Sequence, residues 1–346
     1  MSSRRDPSTD GRGGHLKRRV VSVGGMVVAA PLLLLALPVL VPVALVVDLL
    51  TAPRRLPTLR AVGFAVAYVF TELVGLAASA ALAVRFVGRR DSEAWIDAHV
   101  RLQAAWTGML FRSARLLLGL RVTVDGEEDL SRPPLLVFGR HVSLVDSMVS
   151  AVLLGSDRGY ELRYVLKREL RADPCLDIVG HRLRNHFVDR TGGDAAETAA
   201  VGRLGDDLRA DTAVIIFPEG TRFSPAKRDR ALQRLRDRDD TGDLLPMAED
   251  LRHLLPPRPG GALALLDRAP DTDVVIFGHV GFEGLDSFPG LWRGVPFDRP
   301  VEVLARRFDR ADVPLEAKDR ARWLFERWAE LDEWIDGRLR DREEQR

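Results

Sequence analysis

At 346 residues the chain is long enough for one large domain or two small ones with a real core. A formal net charge of +1 excludes a nucleic-acid signature spread over the whole molecule, so charge arguments have to be local. Cys175 is the single cysteine; this excludes an intramolecular disulfide and a cysteine-based metal cluster, and it fits a cytoplasmic setting.

Residues 1–19 form a basic arm with Arg4, Arg5, Arg12, Lys17, Arg18 and Arg19. From Val20 to Val47 there is no charged residue, a run longer than the ~20 residues that cross a bilayer as a helix. Pro31, Pro38 and Pro42 argue against one straight helix; a kinked span and a re-entrant hairpin fit equally. A basic turn follows with Arg54, Arg55 and Arg60, then a second apolar run, Ala61 to Val84, broken by Glu72. Residues 20–90 are therefore expected to be a membrane anchor of two hydrophobic segments, about 20–47 and 61–84. The length of the first run, and the second close behind it, argue against a secretory signal peptide. Positive flanks at both outer ends favour the cytoplasmic side for each, whereas the basic middle turn makes a re-entrant pair a rival to two crossings. Glu72 is expected to be structural or interfacial. Arginine-dominated basic residues and abundant alanine resemble a GC-rich bacterial genome, so the expected location is a bacterial plasma membrane with the remainder on the cytoplasmic face.

Residues 91–120 read as an amphipathic linker helix. Trp95, Trp106 and Phe111 mixed with Arg101, Arg112 and Arg115 suit either a membrane surface or domain packing. Past Gly119, β-branched runs appear at Arg121–Val124, Leu135–Phe138, Leu162–Leu166, His186–Val188, Thr212–Phe217, Asp273–Phe277 and Val301–Leu304. Helical stretches fall between them at Ser143–Leu154, Asp194–Leu208 and Gly261–Arg268. This alternation predicts an α/β domain over 121–311, a mixed or mostly parallel sheet flanked by helices. The stretch Pro225–Asp243, charged in both signs, reads as a solvated helical insertion. Residues 312–346 form a C-terminal amphipathic helix, with Trp323, Trp328, Leu331, Trp334, Ile335 and Leu339 along a face expected to pack on the core.

Two strings carry chemistry. In Arg140-His141-Val-Ser143-Leu-Val-Asp146 the histidine follows an apolar strand, and Ser143 and Asp146 suit the N-cap and N3 positions of the next helix. Residues five apart on a regular helix point different ways, at about 100° per residue, so His141 must sit in the turn before it and fold back onto Asp146. The helix N-terminus keeps Asp146 ionised, and the carboxylate fixes the imidazole tautomer and stabilises its charged form. His141 is alone among the seven histidines in having an aspartate at this spacing. With no nucleophile elbow and no papain-like cysteine context, a covalent acyl-enzyme is not suggested; a His–Asp pair fits direct attack by a substrate hydroxyl. In Phe217-Pro-Glu219-Gly220-Thr221-Arg222, proline and glycine shape a turn that can aim Thr221 and Arg222 at an anionic oxygen. The blander alternative is an ordinary loop in which Arg222 pairs with Glu219. No credible metal-ligand set is visible, and His181 and His186 read as structural.

Together with the hydrophobic N-terminus, these strings resemble the 1-acylglycerol-3-phosphate acyltransferase family, over roughly Leu135 to Phe282. The resemblance implies an α/β domain whose His–Asp site faces the bilayer. It implies transfer of a fatty acyl chain from acyl-CoA or acyl carrier protein, as co-substrate, to the sn-2 hydroxyl of lysophosphatidate, giving phosphatidate. No further cofactor is implied; the partners are membrane lipids, the lysophospholipid acceptor and the acyl donor. It also implies that Arg190, ending Phe187-Val-Asp-Arg, binds the acceptor phosphate, and that Lys167 is a contact at a strand end. Arg140 stands where asparagine is common and is expected to add a phosphate contact; Ser143, Glu219 and Gly220 complete the substrate-facing set. Val274-Val-Ile-Phe-Gly278 lacks the family's usual proline, which leaves the acceptor open. The alternatives are an acyltransferase for another lysophospholipid or a glycolipid, and a catalytically silent lipid-binding protein tethered to the membrane.

Overall fold

The computed structural model describes residues 12–345 apart from 91, 144–145, 189–193, 238–241, 284 and 286–287. In chain order the helices are α1 (Arg12–Thr51), α2 (Pro57–Arg85), α3 (Glu93–Ser113), α4 (Asp146–Ser150), α5 (Pro174–Arg182), α6 (Asp194–Gly202), α7 (Pro225–Arg236), α8 (Leu244–Asp250), α9 (Pro259–Arg268), α10 (Phe288–Gly294) and α11 (Ala317–Glu344). The strands are β1 (Val122–Asp125), β2 (Leu135–Gly139), β3 (Glu161–Lys167), β4 (His186–Val188), β5 (Thr212–Ile216), β6 (Asp273–Val280) and β7 (Val301–Phe308). Every β-branched run of the sequence is thus a strand. The chain folds as two compact units, one made of Met1–Leu120, Ala151–Glu197 and Trp292–Asp298, the other of Arg121–Ser150, Thr198–Leu291 and Arg299–Arg346.

In the first unit, α1 and α2 are long and apolar enough to cross a membrane. Helix α1 is one helical element that contains Pro31, Pro38 and Pro42, in keeping with the kinked span the prolines allowed. The bonds a proline removes are tolerated in an apolar setting, where no water competes for the remaining carbonyls. Its surface stays bare, with Leu35 76% and Leu50 81% exposed, as a lipid-facing helix requires. Asp48 near the end of α1 turns back to cap α2, accepting from Thr58 N at 3.0 Å and Leu59 N at 2.8 Å.

Both ends of this hairpin are fastened to the same unit. At the turn, Trp292 Nε1 donates to Thr58 Oγ1 (3.0 Å), Arg55 pairs with Asp298 (2.9 Å) and Arg60 Nη1 donates to the Leu117 carbonyl (3.0 Å). At the open end, Arg18 and Arg19 pair with the fully buried Asp177 at 3.0 and 2.9 Å, and Arg182 Nη1 donates to the Ser79 carbonyl at 2.8 Å. Thr58 and Ser79 are roughly 32 Å apart along α2, close to the thickness of a hydrocarbon core. Glu72 is buried inside the unit, where one oxygen accepts from Trp106 Nε1 (2.9 Å) and the other from Cys175 N (3.1 Å). Helix α3 buries Trp95, Val100, Trp106 and Leu110, so it is a packing helix. Strands β3 and β4 pair in parallel.

The second unit holds the sheet β1-β7-β6-β2-β5. Strand β2 lies parallel to both β5 and β6, β1 is parallel to β7, and β6 is antiparallel to β7. All residues of β2 and β5 are buried, which matches their uninterrupted apolar runs. Helix α11 buries Trp323, Phe325, Trp328, Leu331 and Ile335, with Leu331 filling the space left open at Gly278 of β6. Helix α7, expected to be solvated all round, buries Leu232 against Ala248 and Phe325; its two apolar positions were too few to show in a charged stretch.

Candidate active site

Parallel β2, β5 and β6 bring their carboxyl ends together, the place where open α/β sheets gather functional groups. The ladder continues beyond β2: Arg140 N donates to the Phe277 carbonyl at 2.9 Å. His141 comes next and is clamped through its backbone. Its N–H donates to Glu219 Oε1 at 2.7 Å, and its carbonyl accepts from Phe223 N at 3.0 Å.

The side chain turns back as the spacing requires. His141 Nδ1 lies 2.9 Å from Asp146 Oδ2, and the ring rests on Phe217 at a centroid distance of 4.9 Å. Asp146 opens α4 and reaches back over the turn, accepting from Val142 N (2.6 Å) and Ser143 N (2.8 Å). Ser143 also donates its hydroxyl to Oδ1 of Asp146. Helix α4 begins at Asp146, so the acid is its first residue and not the N3 position the spacing suggested, and the serine hydroxyl is spent on the acid itself. Burial alone would raise the Asp146 pKa, but the neighbouring His279 and the hydrogen bonds from His141 and Ser143 outweigh it and hold the carboxyl well below the usual range. Asp146 is therefore a carboxylate able to stabilise a charged His141. The His141 side chain is 15% exposed, against 1% for Asp146.

The second string supports the first. Glu219 is buried, and its carboxylate accepts from His141 N through one oxygen and from Leu255 N (2.9 Å) through the other. Burial pushes its pKa up to about 8, against those two bonds. Expected to face substrate, Glu219 instead braces the histidine turn, and it does not pair with Arg222. Gly220 adopts φ +67°, a left-handed conformation that side chains disfavour, and its open Cα faces the Arg258 side chain. Thr221 follows, half-buried. Arg222 Nη1 is shielded from solvent and has no hydrogen-bond partner among the described residues.

Arg140 is employed differently from expectation. It is buried, and its Nη1 donates to the His279 carbonyl and to Glu283 Oε1 (2.8 Å), so it joins β2 to the end of β6. Ser143, likewise expected at the substrate, is fully buried against Asp146. Lys167 ends β3 in the first unit, and Arg190 lies outside the described residues. His279 was missed: its Nε2 lies 3.2 Å from Asp146 Oδ1. Its place at the end of a β-branched run in an α/β pattern was the signal available. No metal-binding group of three or more His, Cys, Asp or Glu side chains exists among the described residues.

Residues 121–276 match the model of the acyltransferase family. Among curated proteins, it is similar to the lyso-ornithine lipid O-acyltransferase of Rhizobium meliloti, 33% identical over 131 residues, or 37% of this chain and 40% of that protein. It is also similar to the 1-acyl-sn-glycerol-3-phosphate acyltransferase epsilon of Mus musculus, 23% identical over 290 residues, covering 79% and 74% of the two chains. The chain spans about two-fifths of the length of the Rhizobium protein and of an acyltransferase from Schizosaccharomyces pombe that it matches at 28% identity. Of solved structures, the LPA acyltransferase PlsC from Thermotoga maritima aligns with a TM-score of 0.47 at 17% identity, over 78% of this chain and 96% of that one.

Proposed function

We propose that the protein transfers a fatty acyl chain from a thioester donor, acyl-CoA or acyl carrier protein, to the sn-2 hydroxyl of lysophosphatidate at a membrane surface. The observation that carries the reading is the His141–Asp146 pair held in one unit with an unpartnered Arg222 nitrogen. In this mechanism His141 Nε2 accepts the proton of the acceptor hydroxyl while Nδ1 stays on Asp146. The oxygen attacks the thioester carbonyl, and the thiolate leaves with little need of an acid, since thiol pKa values lie near 8.5. No acyl-enzyme forms. Arg222 supplies charge-assisted hydrogen bonds to the acceptor phosphate. The bare α1 surface supports attachment to lipid, with the catalytic domain on the cytoplasmic face of a bacterial plasma membrane.

A second reading, a lyso-ornithine lipid acceptor, is favoured by the 33% identical Rhizobium relative. An acceptor panel with the purified full chain separates the two. Under the first reading lysophosphatidate is turned over, and Arg222→Ala raises its KM roughly 10- to 100-fold, the worth of about 1.5–3 kcal/mol in bonds to a charged group. Turnover of lyso-ornithine lipid alone, insensitive to Arg222→Ala, selects the second. Lipid binding without product from any donor would mean a silent binding protein.

A further inference from the structure

We infer that His279 is a second imidazole partner of Asp146 and positions that carboxylate for His141. The inference rests on the acyl-transfer reading above and deepens it.

The carboxylate of Asp146 lies between two rings. His141 Nδ1 is 2.9 Å from Oδ2, and His279 Nε2 is 3.2 Å from Oδ1. The rings differ in access: the His141 side chain is 15% exposed, the His279 side chain 1%. His279 cannot reach a substrate and acts only through Asp146. Neither of its ring nitrogens makes a well-aligned hydrogen bond among the described residues. A buried imidazole in that condition is destabilising, and an aliphatic side chain of similar volume would suit the place better. What distinguishes histidine here is the contact with Asp146.

The surroundings hold the ring at that carboxylate. Arg140 Nη1 donates to the His279 carbonyl and to Glu283 Oε1, while the other Glu283 oxygen accepts from Gly281 N at 2.7 Å. Phe282 meets the ring edge-on at a centroid distance of 5.3 Å. The buried Arg140, which replaces the asparagine expected before the histidine, thereby ties the strand carrying His141 to the residue behind Asp146. When His141 takes the acceptor's proton, positive charge develops beside Oδ2. Oδ1 must then hold its place. Ser143 secures it from one side and the Nε2 proton of His279 from the other, a contact that tightens as the site becomes occupied.

The test uses the full chain in detergent micelles with acyl-CoA and lysophosphatidate, reading kcat, KM and the melting temperature. His279→Leu keeps volume and removes the donor; His279→Gln places an amide nitrogen at nearly the reach of Nε2. The expected result is a kcat about 10- to 100-fold lower in His279→Leu, the usual cost of losing a group that orients a reacting one. KM stays near wild type, the melting temperature is unchanged or higher, and His279→Gln recovers most of the loss of kcat. Unchanged kcat in His279→Leu, or equal impairment in His279→Gln, overturns the proposal. If His279→Leu does not fold, His279→Asn, too short to reach Oδ1, replaces it, and unchanged kcat there overturns the proposal equally. His141→Ala separates the two readings. Turnover by that variant removes the base mechanism itself, whereas an inactive His141→Ala beside an unaffected His279→Leu removes His279 alone.

Discussion

Replacing Asp146 with asparagine alters the site at its most connected atom pair. Oδ2 accepts from His141 Nδ1 at 2.9 Å, Val142 N at 2.6 Å and Ser143 N at 2.8 Å, while Oδ1 faces Ser143 and His279. An amide offers one acceptor oxygen. If that oxygen takes the Oδ2 position, the three bonds survive, but the charge that stabilises an imidazolium is gone. If the nitrogen takes it, two N–H groups meet, the His141 proton moves to Nε2, and the base is blocked. The second arrangement is the one that costs about 10⁴-fold in serine-protease triads. A kcat loss of about 10³- to 10⁴-fold is therefore expected, about 4–5.5 kcal/mol on the barrier, with KM within a few-fold. The assay is phosphatidate formation by the purified chain, with melting recorded across pH. The Asp146 pKa is depressed by folding, so the carboxylate contributes stability above its unfolded value and loses it as pH falls toward the folded one. The melting gap between wild type and Asp146→Asn should be full at pH 7 and shrink below about pH 4. A kcat within tenfold of wild type, or a gap that widens in acid, would refute the reasoning.

Glu219 has its pKa raised by burial from 4.5 to about 8, so its stabilising share is present in acid and is lost as pH rises through about 8. Wild-type melting should fall between about pH 4.5 and 8 more steeply than that of Glu219→Gln, which cannot ionise; equal slopes would contradict this. In the first unit, Glu72→Ala strands the Trp106 and Cys175 N–H groups, each unmatched donor costing about 1–3 kcal/mol, and a melting temperature unchanged in detergent would show that Glu72 is not holding α2 to α3 and α5.

What the sequence determined by itself was local. The seven strands were legible because β-branched runs bounded by turn residues are a short-range signal, and the apolar hairpin because lipid demands length and lack of charge. The His141–Asp146 contact was legible for the same reason: five residues and one strand-to-helix turn leave the ring little else to meet. What tertiary structure decided was direction. Whether Glu219 faces a ligand or the His141 amide, and whether Arg140 points at phosphate or at the end of β6, depends on which strands lie beside β2. His279 is distant along the chain, and the register pairing Gly139 with Phe277 is what brings it to Asp146. The motifs name the groups; only long-range strand pairing sets the partner each buried polar atom must find, because an unmatched one inside the protein is too costly to leave.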